Sequence, residues 1–278
     1  MQLTFGSLTL SNIRPVKAIS NGNAFNKLGR LVLRASSSSG MVKIWEAANA
    51  DHAVFLKKMS EHPGLSRHLP RVVAVVGSFL ATEWVEGEPL TDLGNRGGSE
   101  HLAAMAELLA AFHRTDFADL GAPQFDYWAD LIRPRFLRAA VIVGHESLAN
   151  EAVMTVDQHL STAPRRLSHP DLTRSNLVRS QSRILVSIDN ELAGLSGMPF
   201  MDVLNASKSL SGPAAAQYCR AYLAQSPGTE MPPLPILRSF WLAREGGASF
   251  VAGNVARVAQ LFERFGKEED ILPLQVCG

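Results

Sequence analysis

The stretch "LSHPDLTRSN" at residues 167–176 places a histidine, an aspartate and an asparagine close together: His169, Asp171 and Asn176. Basic "PRR" precedes it and apolar "LV" follows. Downstream, "NLVRSQSRILVSID" (176–189) reads as two short strands around the polar turn "RSQS". The outer ends of an antiparallel hairpin meet. Asp171, just before the hairpin, and Asp189, just after it, therefore fall in one region, with Asn176 at the head of the first strand. Two carboxylates and an amide oxygen form a hard-oxygen set suited to Mg²⁺. That ion usually keeps waters and binds substrate phosphates, so two or three protein oxygens suffice.

The chain around this hairpin changes character along its length. The first ninety residues are strand-rich: "VKAIS", "RLVLRA", "MVKIW", "RVVAVVG" and "FLATEWV" are β-branched or alternating runs. "NGNAFNKLG" and "SSSSG" between them are turn material, the latter a hairpin tip. One helix interrupts, "NADHAVFLKKMSEH", with Ala53, Leu56 and Met59 near helical spacing and Asn49 or Asp51 as its cap. Short turns between strands favour an antiparallel sheet. From Ser99 onward helix dominates. Leu102, Met105, Leu109 and Phe112 share one face, two helices are expected over 125–160 with Pro134 bending or starting one, and a long helical pattern runs from Leu234 to Phe265. Pro213 suits a first helical turn. The expected fold is α+β and two-lobed. A small antiparallel N-terminal lobe with one helix spans residues 1–86. A larger, mainly helical C-terminal lobe with an internal β-hairpin spans 87–278.

Bulk properties exclude several classes. With 278 residues, 46% of them hydrophobic, there is material for one large or two modest cores. A net charge of +1 gives no field drawing the chain to nucleic acid or a membrane surface. The two cysteines, Cys219 and Cys277, show no CxxC or His/Cys spacing, which argues against a zinc site or a disulfide framework and fits a cytoplasmic location. "MQLTFGSLTL" lacks the pattern of a signal peptide, and no apolar run approaches membrane-spanning length. There is no internal repeat.

A phosphate site also needs cations and backbone donors. Lys43, in the middle of the apolar run "MVKIW", must face either solvent or a cleft. The turn "SNGNAFNKLG" (20–29) can bring backbone N–H groups to phosphate oxygens, yet it is neither GxGxxG nor the Walker pattern. A plain hairpin and a solvent-facing lysine are the bland readings of both.

Taken in order, "HPDLTRSNLV", "SIDNE" and "MPFMDVLN" resemble the core of the aminoglycoside phosphotransferase family, which also holds choline-kinase-like small-molecule kinases and is similar in fold to protein kinases. Its catalytic loop reads roughly HGDxxxxN, its metal strand ends in IDxE, and a DPxxDL segment follows. His169, Asp171, Asn176, Asp189, Glu191 and Asp202 match in order. "ATEWVEGEPL" resembles the hinge, "LLAAFHRTD" the helix that ends in LHxxD, and "GNAFNK" the nucleotide loop, with Gly22 and Asn26 matching. The resemblance covers about residues 15–210. Pro170 stands where glycine is usual, Thr173 where a second histidine is common, and Asn190 where an aromatic is common.

The resemblance implies transfer of the γ-phosphoryl group of ATP, or of GTP, to a hydroxyl of a small molecule. It implies Asp171 as the group that receives the hydroxyl proton, Asn176 and Asp189 as Mg²⁺ ligands, and Lys43 on the α/β-phosphates. Gly22 to Asn26 would cover the phosphates, and backbone groups of Glu83, Trp84 and Val85 would meet the nucleobase. His169 and Asp202 would orient and brace the loop; Arg174, inside it, could touch a phosphate or, the favoured reading, face solvent. An acidic partner for Lys43 is expected on the following helix, with Asp51 and Glu46 as candidates. The alternative is a kinase-like fold that binds nucleotide without catalysis. A protein kinase is disfavoured by the short stretch between Asp189 and Asp202 and the lack of an APE-like segment. For the acceptor, Arg133, Arg135 and Arg138 hint at a neutral or anionic molecule rather than a polycation. Tyr127, Trp128 and Trp241 could form an aromatic cage for a choline-type acceptor. The other histidines are expected at surfaces or helix ends. The oligomeric state is not legible.

Overall fold

The computed structural model describes residues 2–16, 32–91, 99–115, 120–121, 126–163, 166–182, 184–196, 199–208, 210, 212–226, 231–267, 269 and 272. The turn holding Gly22 and Asn26 lies outside them.

The N-terminal sheet begins earlier than the sequence pattern suggests. β1 (Leu3–Phe5) and β2 (Leu8–Pro15) form a hairpin. Its turn needs Gly6 at φ +57°, a conformation that glycine enters without steric cost. β3 (Leu33–Ser37) and β4 (Gly40–Glu46) follow, joined at the serine-rich tip. Helix α1 (Ala50–Glu61) crosses next, then β5 (Val72–Val76) and β6 (Phe79–Glu83). The six strands lie in the order β1-β2-β3-β4-β6-β5, all paired antiparallel. Asn49 is the cap of α1, its side chain accepting from the His52 N–H at 2.7 Å. Ala53, Leu56 and Met59 are buried as their spacing predicts.

Strand β7 (Gly87–Pro89) leads out of this lobe and pairs with β9 (Leu177–Ser180) rather than with the large sheet. The helical part comprises α2 (Ser99–Arg114), a π-helical segment (Tyr127–Ile132), α3 (Arg133–Val143) and α4 (Glu146–Thr162). Pro134 starts α3 rather than bending a longer helix. The short β8 (Arg166–Ser168) precedes β9, and β10 (Leu185–Ser187) closes the expected hairpin, with Ser187 opposite Leu177. β11 (Gly194–Ser196) pairs back onto β8. The chain continues through α5 (Pro199–Ser207), α6 (Gly212–Gln225), α7 (Leu234–Val251) and α8 (Val255–Gly266). The single helical pattern expected from Leu234 to Phe265 is thus two helices. Gly253, at φ +72°, breaks it, and the Asn254 side chain caps α8 by accepting from the Arg257 N–H at 3.0 Å.

Two large cores hold these parts. One joins Phe55, Leu56 and Met59 of α1 to Met105, Leu109 and Phe112 of α2, to Tyr218 and Tyr222 of α6, and to Leu177 and Leu185 of the hairpin. It runs across the boundary at residue 86, so packing is continuous where the composition changes. The other gathers α3, α4, α7 and α8 around Phe136, Phe240, Trp241 and Phe262. A smaller cluster, including Leu10, Ala35, Val42 and Ile44, lies on the sheet. Among the described residues no helix is long and apolar enough to cross a membrane. Cys219, buried on α6, is disulfide-bonded, contrary to the expectation from cysteine spacing.

Candidate active site

The 167–176 segment is clamped by α5. Asp202, in the first turn of α5 and buried, takes hydrogen bonds from the Ser168 hydroxyl and from the His169 N–H at 3.0 Å. It also pairs with His113 Nε2 at 3.0 Å. A buried carboxylate is tolerated when several donors converge on it. One turn further on, Asn205 donates to the Pro170 carbonyl at 2.7 Å. His113 comes from the end of α2 and is itself held by the Tyr222 hydroxyl at 2.6 Å. His52, His68 and His113 are all buried; His52 and His113 do stand at helix ends, whereas His68 is neither at the surface nor in a helix. Their spacing carries no signal because their partners are distant backbone and side-chain groups.

His169 points into the hairpin. Its Nε2 meets Asn190 Oδ1 at 2.8 Å and the Ser187 hydroxyl at 2.9 Å. The Asn190 amide nitrogen donates to the Ser187 carbonyl at 2.9 Å, which turns its oxygen toward the ring. The residue in place of the usual aromatic therefore locks His169 and thereby the loop. Arg174 does not simply face solvent. It is partly buried and donates to the Leu90 carbonyl at 3.1 Å, tying the loop to the chain that leaves β7.

Asp171, Asn176, Asp189 and Lys43 are brought together at the mouth of the hairpin. Asn176 Nδ2 donates to the Asp171 carbonyl at 2.8 Å and to its carboxylate at 3.2 Å. The Asn176 carbonyl accepts from the Ile188 N–H at 2.9 Å, one residue before Asp189. Lys43 reaches across from β4, its Nζ 2.9 Å from the Ile188 carbonyl. The cleft-facing alternative for this lysine is the one that holds. Neither candidate acid reaches it: Glu46 accepts from the Ser78 hydroxyl at 3.1 Å, and Asp51 is exposed in the first turn of α1. Strand alternation explains the first, since Lys43 and Glu46 point to opposite faces.

Burial, more than anything else, pushes the Asp171 carboxyl above its ordinary range. His169 and Arg244 pull it down, Asp189 pushes it up, and the Asn176 bond favours the ionised form. The donor set fits a divalent ion by its chemistry. With Asn176 Nδ2 committed to Asp171, its Oδ1 is left as an acceptor. No cluster of three or more acidic, histidine or cysteine side chains suited to a metal occurs among the described residues. Two protein oxygens are what a phosphate-bound Mg²⁺ needs.

At the hinge, the Glu83 N–H is bound to the Arg71 carbonyl and the Trp84 N–H to the Met41 carbonyl, both at 2.9 Å. The Glu83 carboxylate pairs with Arg71. Gly87 lets β7 approach β9 so closely that any Cβ there would collide with the Arg179 carbonyl. Surface clefts of about 430 and 510 Å³ lie at the hairpin tip beside Gly87 and Arg179 and against Lys58 and His62. Neither has Asp171 in its lining.

Sequence reading missed Arg244. It stands on the apolar helix α7, packs against the Trp241 ring and pairs with Glu245. An "RE" pair inside the otherwise apolar "FWLAREGGASF" was the available signal. Arg133 instead pairs with Asp157 at 3.2 Å and Arg138 caps its own helix turn through the Pro134 carbonyl. Tyr127, Trp128 and Trp241 do share one core, but all three are buried, with Trp128 stacked on Phe240.

An antiparallel sheet with one crossing helix, a linking strand, and a helical lobe carrying a loop-and-hairpin site define a protein-kinase-like phosphotransferase fold. The macrolide 2′-phosphotransferase of Brachybacterium faecium superposes with a TM-score of 0.59 at 15% identity, covering 92% of this chain and 94% of that one. The choline kinase of Streptococcus pneumoniae in complex with AMP gives 0.63 at 10% identity, covering 95% of each chain. A thermostable mutant aminoglycoside phosphotransferase in ternary complex with ADP and hygromycin B gives 0.53 at 16%, covering 93% of each. These likenesses concern the fold. The family model of the phosphotransferase enzyme family matches residues 26–234, and the chain belongs to that family. Comparison with curated proteins returns no match.

Proposed function

We propose that this protein is a small-molecule kinase that moves the γ-phosphoryl group of ATP, or of GTP, to an acceptor hydroxyl. The observation that carries the reading is the meeting of Asp171, Asn176, Asp189 and Lys43 around one hairpin mouth, with Asp171 held by Asn176 and Lys43 docked beside Asp189. Membership of a phosphotransferase family supports it, as do related folds that bind AMP or ADP.

In this reading residues 1–86 hold the nucleotide and residues 87–278 hold the acceptor and the reacting groups. Val85 N–H, which has no hydrogen bond among the described residues, meets the nucleobase together with carbonyls of Glu83 and Trp84. Gly22 and Asn26 cover the phosphates. Lys43 exchanges its Ile188 carbonyl for the α/β-phosphates. Asn176 Oδ1 and Asp189 hold Mg²⁺, which supplies charge neutralisation at the phosphates. Asp171 orients the acceptor hydroxyl. As its oxygen bonds to the γ-phosphorus, the bond to the β-phosphate oxygen breaks, the nucleoside diphosphate leaves with that electron pair, and the hydroxyl proton passes to the Asp171 carboxylate. The loop is preorganised by Asp202 and Asn205, so little reorganisation accompanies the step.

Thermal unfolding with Mg²⁺–ATP and with Mg²⁺–GTP, on wild type and Asp189→Ala, tests this. A ligand that binds only the folded state must raise the midpoint. A Mg²⁺-dependent rise that the variant loses is expected. No rise with either nucleotide would overturn the kinase reading, and a rise without turnover on any hydroxyl compound would favour the non-catalytic alternative.

A further inference from the structure

Arg244 is a buried charged side chain of the helical lobe that the phosphoryl-transfer machinery above does not use. Its side chain is only 12% exposed. One edge of the guanidinium is occupied: Nη1 pairs with Glu245, whose other oxygen is taken by Lys208 Nζ at 2.6 Å. The Nε–H is buried and has no hydrogen-bond partner. A buried donor left unmade costs about 1–3 kcal/mol, so a native site that retains one is set up for an acceptor atom from outside the chain. The Tyr127 hydroxyl lies within hydrogen-bonding reach of this guanidinium and the Asp171 carboxylate lies in its field, yet Arg244 forms no ion pair with Asp171. Tyr127 belongs to the π-helical segment, a rare backbone form frequent at functional sites.

The aromatic ring beside this group is already committed. Arg244 and Lys208 both stand over Trp241, at 5.7 and 5.8 Å from its centroid. A quaternary or primary ammonium on the acceptor would meet two protein cations where it needs an open ring face, a like-charge encounter in a poorly solvated place. An acceptor carboxylate has the opposite balance: a guanidinium edge with an unused N–H is the geometry it prefers.

We propose that Arg244, with Tyr127, forms the acceptor subsite and that the acceptor is a small hydroxy acid, its carboxylate on Arg244 Nε and its hydroxyl on Asp171. This rests on the kinase reading above. The transferred group, the bond broken and the fate of the proton are as written there, and the product is a phosphorylated hydroxy acid plus the nucleoside diphosphate. Arg244 binds and positions the acceptor, and Asp171 alone receives its proton.

The test uses three probes that share one polyol chain and differ at one end: D-gluconate, D-glucitol and D-glucamine. Release of ADP from Mg²⁺–ATP is followed for wild type, Arg244→Gln and Arg244→Lys, with the thermal midpoint recorded with and without nucleotide. Gluconate is expected to raise ADP release at least 10-fold over glucitol, and glucamine to fall below glucitol. Arg244→Gln should erase that order through KM for gluconate, while the nucleotide-induced rise in midpoint persists. Arg244→Lys should retain part of the preference, which a merely structural role would not produce. Preference for glucitol or glucamine, an order unchanged in Arg244→Gln, or no stimulation by any of the three while the nucleotide shift stands would overturn the hydroxy-acid assignment. Loss of the nucleotide shift in wild type would instead overturn the kinase reading beneath it.

Discussion

At the scale of the residue, Asp171 carries the sharpest expectations. Burial raises its carboxyl above the ordinary range, so the protonated form persists to higher pH than for a solvated aspartate. Only the carboxylate can receive the hydroxyl proton. Turnover should therefore fall as pH drops through that raised value, and the limb should sit above the usual carboxylate range in a profile of kcat against pH. Replacing Asp171 by Asn removes the base and leaves the Asn176 contacts approximately in place. Turnover should drop by about 10²–10⁴-fold, the range general-base catalysis spans, while the nucleotide-induced midpoint rise survives. The midpoint itself should not fall. A group whose pKa is raised on folding makes the folded state less stable once pH exceeds its unfolded value, because the ionised form is the disfavoured one when buried. An amide escapes that cost. A stability loss in Asp171→Asn together with normal turnover would contradict both parts.

At the scale of the element, two short features hold the site to the fold. β7 touches β9 through Gly87, where an added Cβ meets the Arg179 carbonyl and the Val178 side chain. Gly87→Ala should force these strands apart and cost about 1–3 kcal/mol in chemical denaturation, as overpacking does. The site should suffer with it, since Leu90 both donates to the Leu177 carbonyl and accepts from Arg174 of the loop. The cap of α1 is the second feature. Asn49→Ala should cost about 1 kcal/mol, measured the same way. How much of this was legible varies by element. The hairpin of β9 and β10, the buried stripe of α2 and the Asn49 cap follow from periodicity and local chemistry. The β1–β2 hairpin was overlooked although "LTFGSLTL" alternates around a glycine. The break at Gly253 was overlooked because apolar spacing on both sides keeps one helical phase, and only the left-handed backbone at the glycine reveals the turn.

At the scale of the whole molecule, two buried histidines join the N-terminal part to the helical part. His52 Nε2 lies 3.2 Å from the Ala193 carbonyl, and its Nδ1 receives the Ala48 N–H. His68 Nδ1 lies 3.1 Å from the Leu185 carbonyl, and its Nε2 receives Arg67 Nε–H. In each ring one nitrogen donates and the other accepts, which only a neutral imidazole can do. Burial, the first cause in both, lowers their pKa from 6.5. The folded state thus binds protons more weakly than the unfolded chain. The stability they contribute is full above pH 6.5 and is lost as pH falls below it toward the folded values. His52→Gln and His68→Gln together should flatten the fall of the thermal midpoint between neutral and mildly acidic pH. Because the core around α1 also continues into α2 and α6, a fragment ending at residue 86 should show no cooperative unfolding transition on its own, although that residue marks the proposed division of labour.

The sequence by itself determined the loop residues, the hairpin that carries them and the sheet-then-helix order, because each depends on neighbours within a turn or two, where spacing and periodicity report directly on geometry. The tertiary structure decided what crosses the chain. It set Lys43 on the Ile188 carbonyl, 145 residues away, left Glu46 and Asp51 out of reach of that lysine, and converged Ser168, His169 and His113 on Asp202. It also buried Arg244 within the electrostatic field of Asp171 while leaving its Nε–H without a partner. These are consequences of how helices and sheet pack against one another, and no local pattern records which distant partner a buried polar group will meet.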